Sequence, residues 1–177
     1  LLRLLGEEQL LQFSFEGIKR LLGTHQETLS RVIGRLEEKH LIRKTSTGYA
    51  VTAEGKTLLP QAGISDRNRF LLLRSILPSA ASAEALTSRL SGSWFGRLRW
   101  LGLSYDVSST ILKWVAEDAT FQIEASISVN ELAIYTNVIG QGYIGNAVEA
   151  AYQLASHISS ILSSLGANGK WRETRDN

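Results

Sequence analysis

The sequence predicts an α+β protein in two parts: helices and one short hairpin up to about residue 60, then helices, an antiparallel sheet of about four strands and a long C-terminal helix. Three observations predict this class. Apolar residues recur at spacings of three and four through the first forty positions, the signature of amphipathic helices. The period changes to two at residues 42–52, and again over a longer stretch from 94 to 138. A final segment returns to the helical period.

Taken in order, Leu1 to Gln12 reads as a helix with leucines at 1, 4, 5 and 11, and Phe15 to Leu22 as a second with Phe15, Ile18, Leu21 and Leu22 inward. Gly23 ends it. Thr24 and Glu27 have the T-x-x-E spacing of a capping box, which predicts the start of a third helix at Thr24. Its apolar face is Leu29, Val32, Ile33 and Leu36, leaving Gln26, Thr28, Ser30, Arg31 and Arg35 outward. "IRKTS", a turn at Thr47-Gly48 and "YAVT" make a hairpin, and "AEGKTLLP" adds a helical turn or two. Pro60 and the polar "QAGISDRN" mark the boundary between a domain of residues 1–60 and one of 61–177.

The second domain opens on a predicted helix from Asp66 to Leu77, with Phe70, Leu73 and Leu77 on one face and Pro78 as its stop. Another runs from about Ser82 to Leu90. Strands are predicted in "WFGRLRWLGLSY", "TILKWVAED", "TFQIEASISV" and "ELAIYTNVI". In the third, Phe121, Ile123, Ala125, Ile127 and Val129 alternate with Gln122, Glu124, Ser126 and Ser128, the pattern of a strand with one wet face. Polar turns between them predict antiparallel hairpins. A helix from about Asn146 to Leu165 closes the fold, and "GANGKWRETRDN" is expected to fray.

Composition narrows the function classes. At 177 residues, 44% hydrophobic and 20% charged, the chain has the balance of a globular protein, and no uncharged apolar run of about 18 residues suggests a membrane span. A cytoplasmic location without membrane contact is the expectation, since the leucine-rich start is broken by Arg3, Glu7 and Glu8. Cysteine is absent, which removes disulfides, thiolate metal sites and cysteine nucleophiles. Methionine is absent too, even at position 1, so the 177 residues are not expected to be a complete translation product. The net charge of +2 says little about partners; residues 1–60 hold nine Lys/Arg against seven Asp/Glu, and the remainder ten of each.

Helix, helix, glycine turn, polar-faced helix and hairpin is the order of a winged helix-turn-helix, in which the helix after the turn enters the major groove and the wing reaches the backbone. The segment "GTHQETLSRVIGRLEEKHLI" resembles the recognition segment of the catabolite activator and fumarate-nitrate regulator family, G-x-S-R-E-T-V-S/G-R-x-L-x-x-L-E-x-x-x-L-I, at Glu27, Thr28, Ser30, Arg31, Leu36, Glu37, Leu41 and Ile42. "YAVTAEGKTLL" is similar to the strand and helix entry after the wing of multiple-antibiotic-resistance-type regulators. The likeness covers about residues 13–59 and implies a transcriptional regulator. His25 stands where the family has a capping Ser and Gln26 where it has a base-reading Arg, so the family's half-site is not carried over. Its cyclic-nucleotide barrel has no counterpart in these residues, and neither does its effector logic.

Side-chain chemistry assigns the contacts expected with duplex DNA. Arg31 can give a bidentate pair to guanine, Gln26 can pair with adenine, and Glu27 can accept from a cytosine amine. Thr28, Ser30 and Arg35, with Arg43, Lys44 and Thr47 on the wing, suit phosphates. The plain alternative is a solvated helix face, or one that docks on a larger protein assembly such as transcription machinery. One winged helix reads one half-site, so a homodimer is expected.

The remaining signals are weaker. "GQGYIG" at 140–145 fits G-x-G-x-x-G, but only 32 residues follow Gly145 and they hold no second parallel strand or ribose-binding acid, so a glycine-rich turn is expected. His25, His40 and His157 lack metal spacing, and Glu117-Asp118 reads as a solvated turn. No enzyme and no cofactor are expected. In the second domain, Trp94, Arg97, Arg99, Trp100, Trp114 and Tyr135 are either core and surface or the lining of a pocket for a partly apolar, anionic small-molecule effector. That domain is expected to serve dimerisation, ligand sensing or both.

Overall fold

The computed structural model describes residues 1–60, 69–77, 83–138 and 141–169. The N-terminal part runs α1 (Leu2–Glu7), β1 (Gln12–Phe13), α2 (Phe15–Leu22), α3 (Gln26–Glu38), β2 (Ile42–Thr45), β3 (Gly48–Val51) and α4 (Ala53–Thr57). The C-terminal part runs β4 (Arg69–Ile76), α5 (Ala83–Leu90), β5 (Leu98–Tyr105), β6 (Thr110–Ala116), β7 (Phe121–Ile127), β8 (Glu131–Val138), a 3-10 turn (Gln141–Tyr143) and α6 (Ile144–Gly169). The α+β class is therefore observed.

Local chemistry accounts for the helix ends. Ser14 caps α2 by accepting from the Gly17 N–H at 2.9 Å, Glu16 lies in the first turn, and Lys19 and Arg20 lie in the last, where each complements the helix dipole. Gly23 closes α2 in the left-handed region at φ +58°. Its N–H and that of Thr24 donate to the carbonyls of Arg20 and Lys19. Thr24 is thereby committed to ending α2, and the capping box predicted there does not form: His25 is the N-cap of α3 and makes no side-chain cap bond. Starting at Gln26 puts Glu27 one position too early in the helix to reach back. Thr52 caps α4, accepting from Gly55 N–H at 3.0 Å while its hydroxyl donates to the His40 carbonyl at 2.7 Å.

All eight strands form one antiparallel sheet in the order β2-β3-β1-β5-β6-β7-β8-β4. Several expectations change here. The helix predicted from Leu1 to Gln12 ends at Glu7, Gln9 turns the chain at φ +54°, and Gln12 enters β1, which the sequence did not suggest. The sheet has five strands from the C-terminal part, where four were expected, because 69–76 is a strand and not part of a helix. "RFLLLRSI" contains an unbroken apolar run whose period is ambiguous, and pairing with β8 decides it. Residues 66–68 and Pro78 of that predicted helix, and Ser82 of the next, lie outside the described residues. The strand predicted from Trp94 begins only at Leu98, after a bridge from Phe95 to Leu98 that turns through Gly96 at φ +50°. α6 continues to Gly169, so the first four residues of the tail expected to fray are helical, and 170–177 lie outside the described residues.

The hydrogen-bonded sheet crosses the boundary placed after residue 60. β1, only two residues long, pairs with β3 of the wing on one side and with β5 on the other. One core lies between the sheet and α5 and α6; Trp100 and Trp114 meet there edge to face, with ring centroids 5.4 Å apart. A second core combines Leu5, Ile18, Leu29, Ile33 and Leu36 of the N-terminal helices with Leu101 and Val115 on the other face of the sheet.

Candidate nucleic-acid interface

α3 is amphipathic as its spacing dictates: Leu29, Ile33 and Leu36 are buried, and Gln26, Glu27, Thr28, Ser30, Arg31 and Arg35 are exposed. Gln26, Glu27, Ser30 and Arg31 border an open hollow of about 500 Å³. Arg31 lies 3.7 Å from the Glu27 carboxylate one turn earlier, with both side chains mostly exposed. Such a pair is weak in water and releases its arginine at small cost.

The wing stands beside this helix. Its hairpin register pairs Arg43 with Ala50 and Lys44 with Tyr49, and both basic side chains are exposed. Thr47 at the tip is only half exposed, because it packs toward Gly92 of the C-terminal part, where a Cβ would sit 3.1 Å from its methyl group. Tyr49 stacks on Phe13, centroids 5.6 Å apart, and its hydroxyl titrates above the usual tyrosine range through burial, reinforced by the Glu37 carboxylate on α3. Eight of the nine residues assigned to DNA therefore lie on exposed surface of α3 or the wing, and the ninth is partly covered.

The six residues grouped for an effector do not converge. Trp100 and Trp114 are core residues, and the Trp114 indole N–H donates to the Ser93 carbonyl at 2.9 Å. Trp94 is exposed, with the Arg99 guanidinium 4.7 Å from its ring centroid; Arg99 also pairs with Glu117. Arg97 pairs with Asp118 at 3.0 Å. Tyr135 is bound up elsewhere, beneath the Arg69 guanidinium at 3.7 Å. The Glu117-Asp118 turn is confirmed as a β6–β7 connection, and the Thr120 hydroxyl, donating at 2.6 Å, holds the Asp118 carboxyl below its ordinary range, helped by Arg97.

One polar cluster was not foreseen. Gln122 and Glu124, expected on the wet face of β7, are 5% and 8% exposed. Glu8, at the end of α1, covers them: Gln122 Nε2 donates to Glu8 Oε1 at 3.3 Å, and Lys113 Nζ bridges Glu8 Oε2 at 3.4 Å and Glu124 Oε1 at 2.9 Å. Arg69 Nε lies 2.9 Å from Glu124 Oε2. Alternation revealed the face but not its cover, which comes from the far end of the chain.

Among the described residues, no helix is long and apolar enough to cross a membrane, and no group of three or more His, Cys, Asp and Glu residues could hold a metal ion. No family model, no curated protein and no solved structure matches the chain.

Proposed function

We propose that the chain is a DNA-binding transcriptional regulator, acting as a homodimer, with α3 in the major groove and the β2–β3 wing on the phosphate backbone. The observation that carries this reading is the unpacked polar face of α3, six hydrogen-bonding side chains on one exposed surface beside an exposed basic hairpin. Arg31, Gln26 and Glu27 are the base-reading groups; Thr28, Ser30, Arg35, Arg43, Lys44 and Thr47 fix register on phosphates. Trp94, Arg97, Arg99, Trp100, Trp114 and Tyr135 are divided between core, exposed ion pairs and the Arg69 contact, and the reading assigns no effector site to them.

A second reading, a protein-interaction adaptor, is favoured by charge: α3 itself carries Glu27, Glu37 and Glu38 against Arg31 and Arg35. Fluorescence anisotropy across a salt series separates the two. Selective binding to the protein's own upstream duplex, with a steep salt slope and a loss of about tenfold or more in Arg31→Ala, is the expected result. Equal, weak binding to a scrambled duplex, indifferent to Arg31, would exclude the regulator.

A further inference from the structure

The wing is held twice. β3 pairs with β1 along Tyr49 and Ala50, and beyond that pairing the tip residue Thr47 meets the turn that joins α5 to β5. A Cβ built on Gly92 of that turn would lie 3.1 Å from the Thr47 Cγ2 and 3.5 Å from its Cβ. The first distance is tighter than side chains ordinarily accept, so the tip rests where it does because Gly92 has no side chain. Gly92 also stands at φ +80°, which glycine adopts without the penalty of a Cβ.

The turn beneath the tip is itself pinned to the C-terminal core. The Ser91 hydroxyl donates to the Thr87 carbonyl at 2.7 Å and the Ser93 hydroxyl to the Arg89 carbonyl at 3.0 Å, while the Ser93 carbonyl accepts from the Trp114 indole N–H at 2.9 Å. Leu86 and Leu90 bury α5 against the sheet, and Arg89 donates to the Ser164 hydroxyl of α6 at 3.0 Å. β2, by contrast, is an edge strand bonded to β3 alone among the described residues, so the placement of Arg43 and Lys44 follows from how the hairpin is seated.

We infer that Gly92 is a positioning residue for the wing: by presenting no side chain it seats Thr47 on the C-terminal core and so sets how Arg43, Lys44 and Thr47 meet the phosphate backbone. This role rests on the DNA reading proposed above and adds to it a control point outside both α3 and the wing.

A double-mutant cycle tests it on the whole chain, with duplex binding followed by anisotropy across a salt series for the wild type, Gly92→Asn, Thr47→Ser and the pair. Asparagine tolerates a positive φ better than most side chains. Thr47→Ser keeps the hydroxyl and removes the methyl group that the new Cβ would meet. Gly92→Asn should weaken binding to the upstream and the scrambled duplex by the same factor and lower the salt slope by about one, as the loss of a phosphate contact does. In the Thr47→Ser background the same substitution should cost less. A slope unmoved by Gly92→Asn, or an equal loss in both backgrounds, would overturn the inference, since a purely structural change shifts the urea midpoint without regard to Thr47. Should Gly92→Asn fail to fold, Gly92→Ala, which asks the tip to give by only a few tenths of an ångström, goes through the same cycle and must show the same dependence on Thr47. A wild type that binds no duplex overturns the DNA reading and this role together; one that binds, loses affinity in Arg31→Ala and is indifferent to the Gly92 variants overturns this role alone.

Discussion

Glu8, the last residue of α1's cap, and Lys113, in the middle of β6, form an ion pair at 3.4 Å that joins the N-terminal helices to the C-terminal sheet. Lys113 is 7% exposed and also neutralises Glu124. Lys113→Ala removes the cation shared by two largely buried carboxylates, leaving Glu124 to Arg69 and Glu8 to Gln122 alone, and urea unfolding should show a loss of about 3 kcal/mol. Glu8→Gln retains hydrogen bonding and removes one of those charges, so the double variant should recover part of the loss. A Lys113→Ala change under 1 kcal/mol would show that the cluster is wetter than its burial indicates.

Ser14 performs two tasks at the α2–β5 contact. Its Oγ accepts from Gly17 N–H and donates to the Trp100 carbonyl, in the strand where β1 meets β5. Ser14→Ala removes the cap and leaves a carbonyl without that partner, a combined cost of about 2 kcal/mol. Ser14→Thr should retain most of the stability, measured as a shift in the urea midpoint at constant slope.

Gly34 lies inside α3, where an added Cβ meets nothing within 4 Å. Gly34→Ala should stabilise the protein by about 0.5–1 kcal/mol, because alanine has the better helix propensity and restricts the unfolded chain. A lower melting temperature would show that something approaches this face. In the regulator reading this face also meets DNA, and the variant's affinity for the duplex, measured separately, shows how close the DNA comes.

Asp118 gives a pH dependence with a definite sign. Its carboxyl titrates lower in the folded state than unfolded, so it contributes stability above the ordinary carboxylate range, about pH 4, and loses it as pH falls through the native value. Asp118→Asn should flatten the acid limb of the stability profile while leaving the alkaline limb unchanged. Equal acid limbs in the two proteins would place the Thr120 and Arg97 contacts among those that solvent screens.

What the sequence made legible was local. The apolar spacing Leu29, Ile33, Leu36 fixed the buried side of α3, and the switch to period two marked the wing. Two kinds of information were not local. Whether Phe70 to Leu73 is helix or strand depends on β8, which lies about sixty residues away and offers its open edge. Whether Gln122 and Glu124 are wet depends on Glu8, more than a hundred residues earlier. The capping box at Thr24 failed for a third reason, competition: the preceding helix took the same backbone N–H to close its own end.

β1 has a consequence for how binding energy would be used. At Gly102 on β5, an added Cβ would lie 2.1 Å from the Gln12 carbonyl, so the seam depends on two backbones approaching without a side chain between them. A reading head on a flexible tether adapts to operators of several lengths. If α3 reads DNA as proposed, a head stitched into a sheet has no such slack, and in a symmetric pair the whole sheet would act as a ruler. Inserting a single base pair between half-sites would then cost nearly all the affinity of the second head, whereas Gly102→Ala, by parting the seam, would trade stability for tolerance of that insertion.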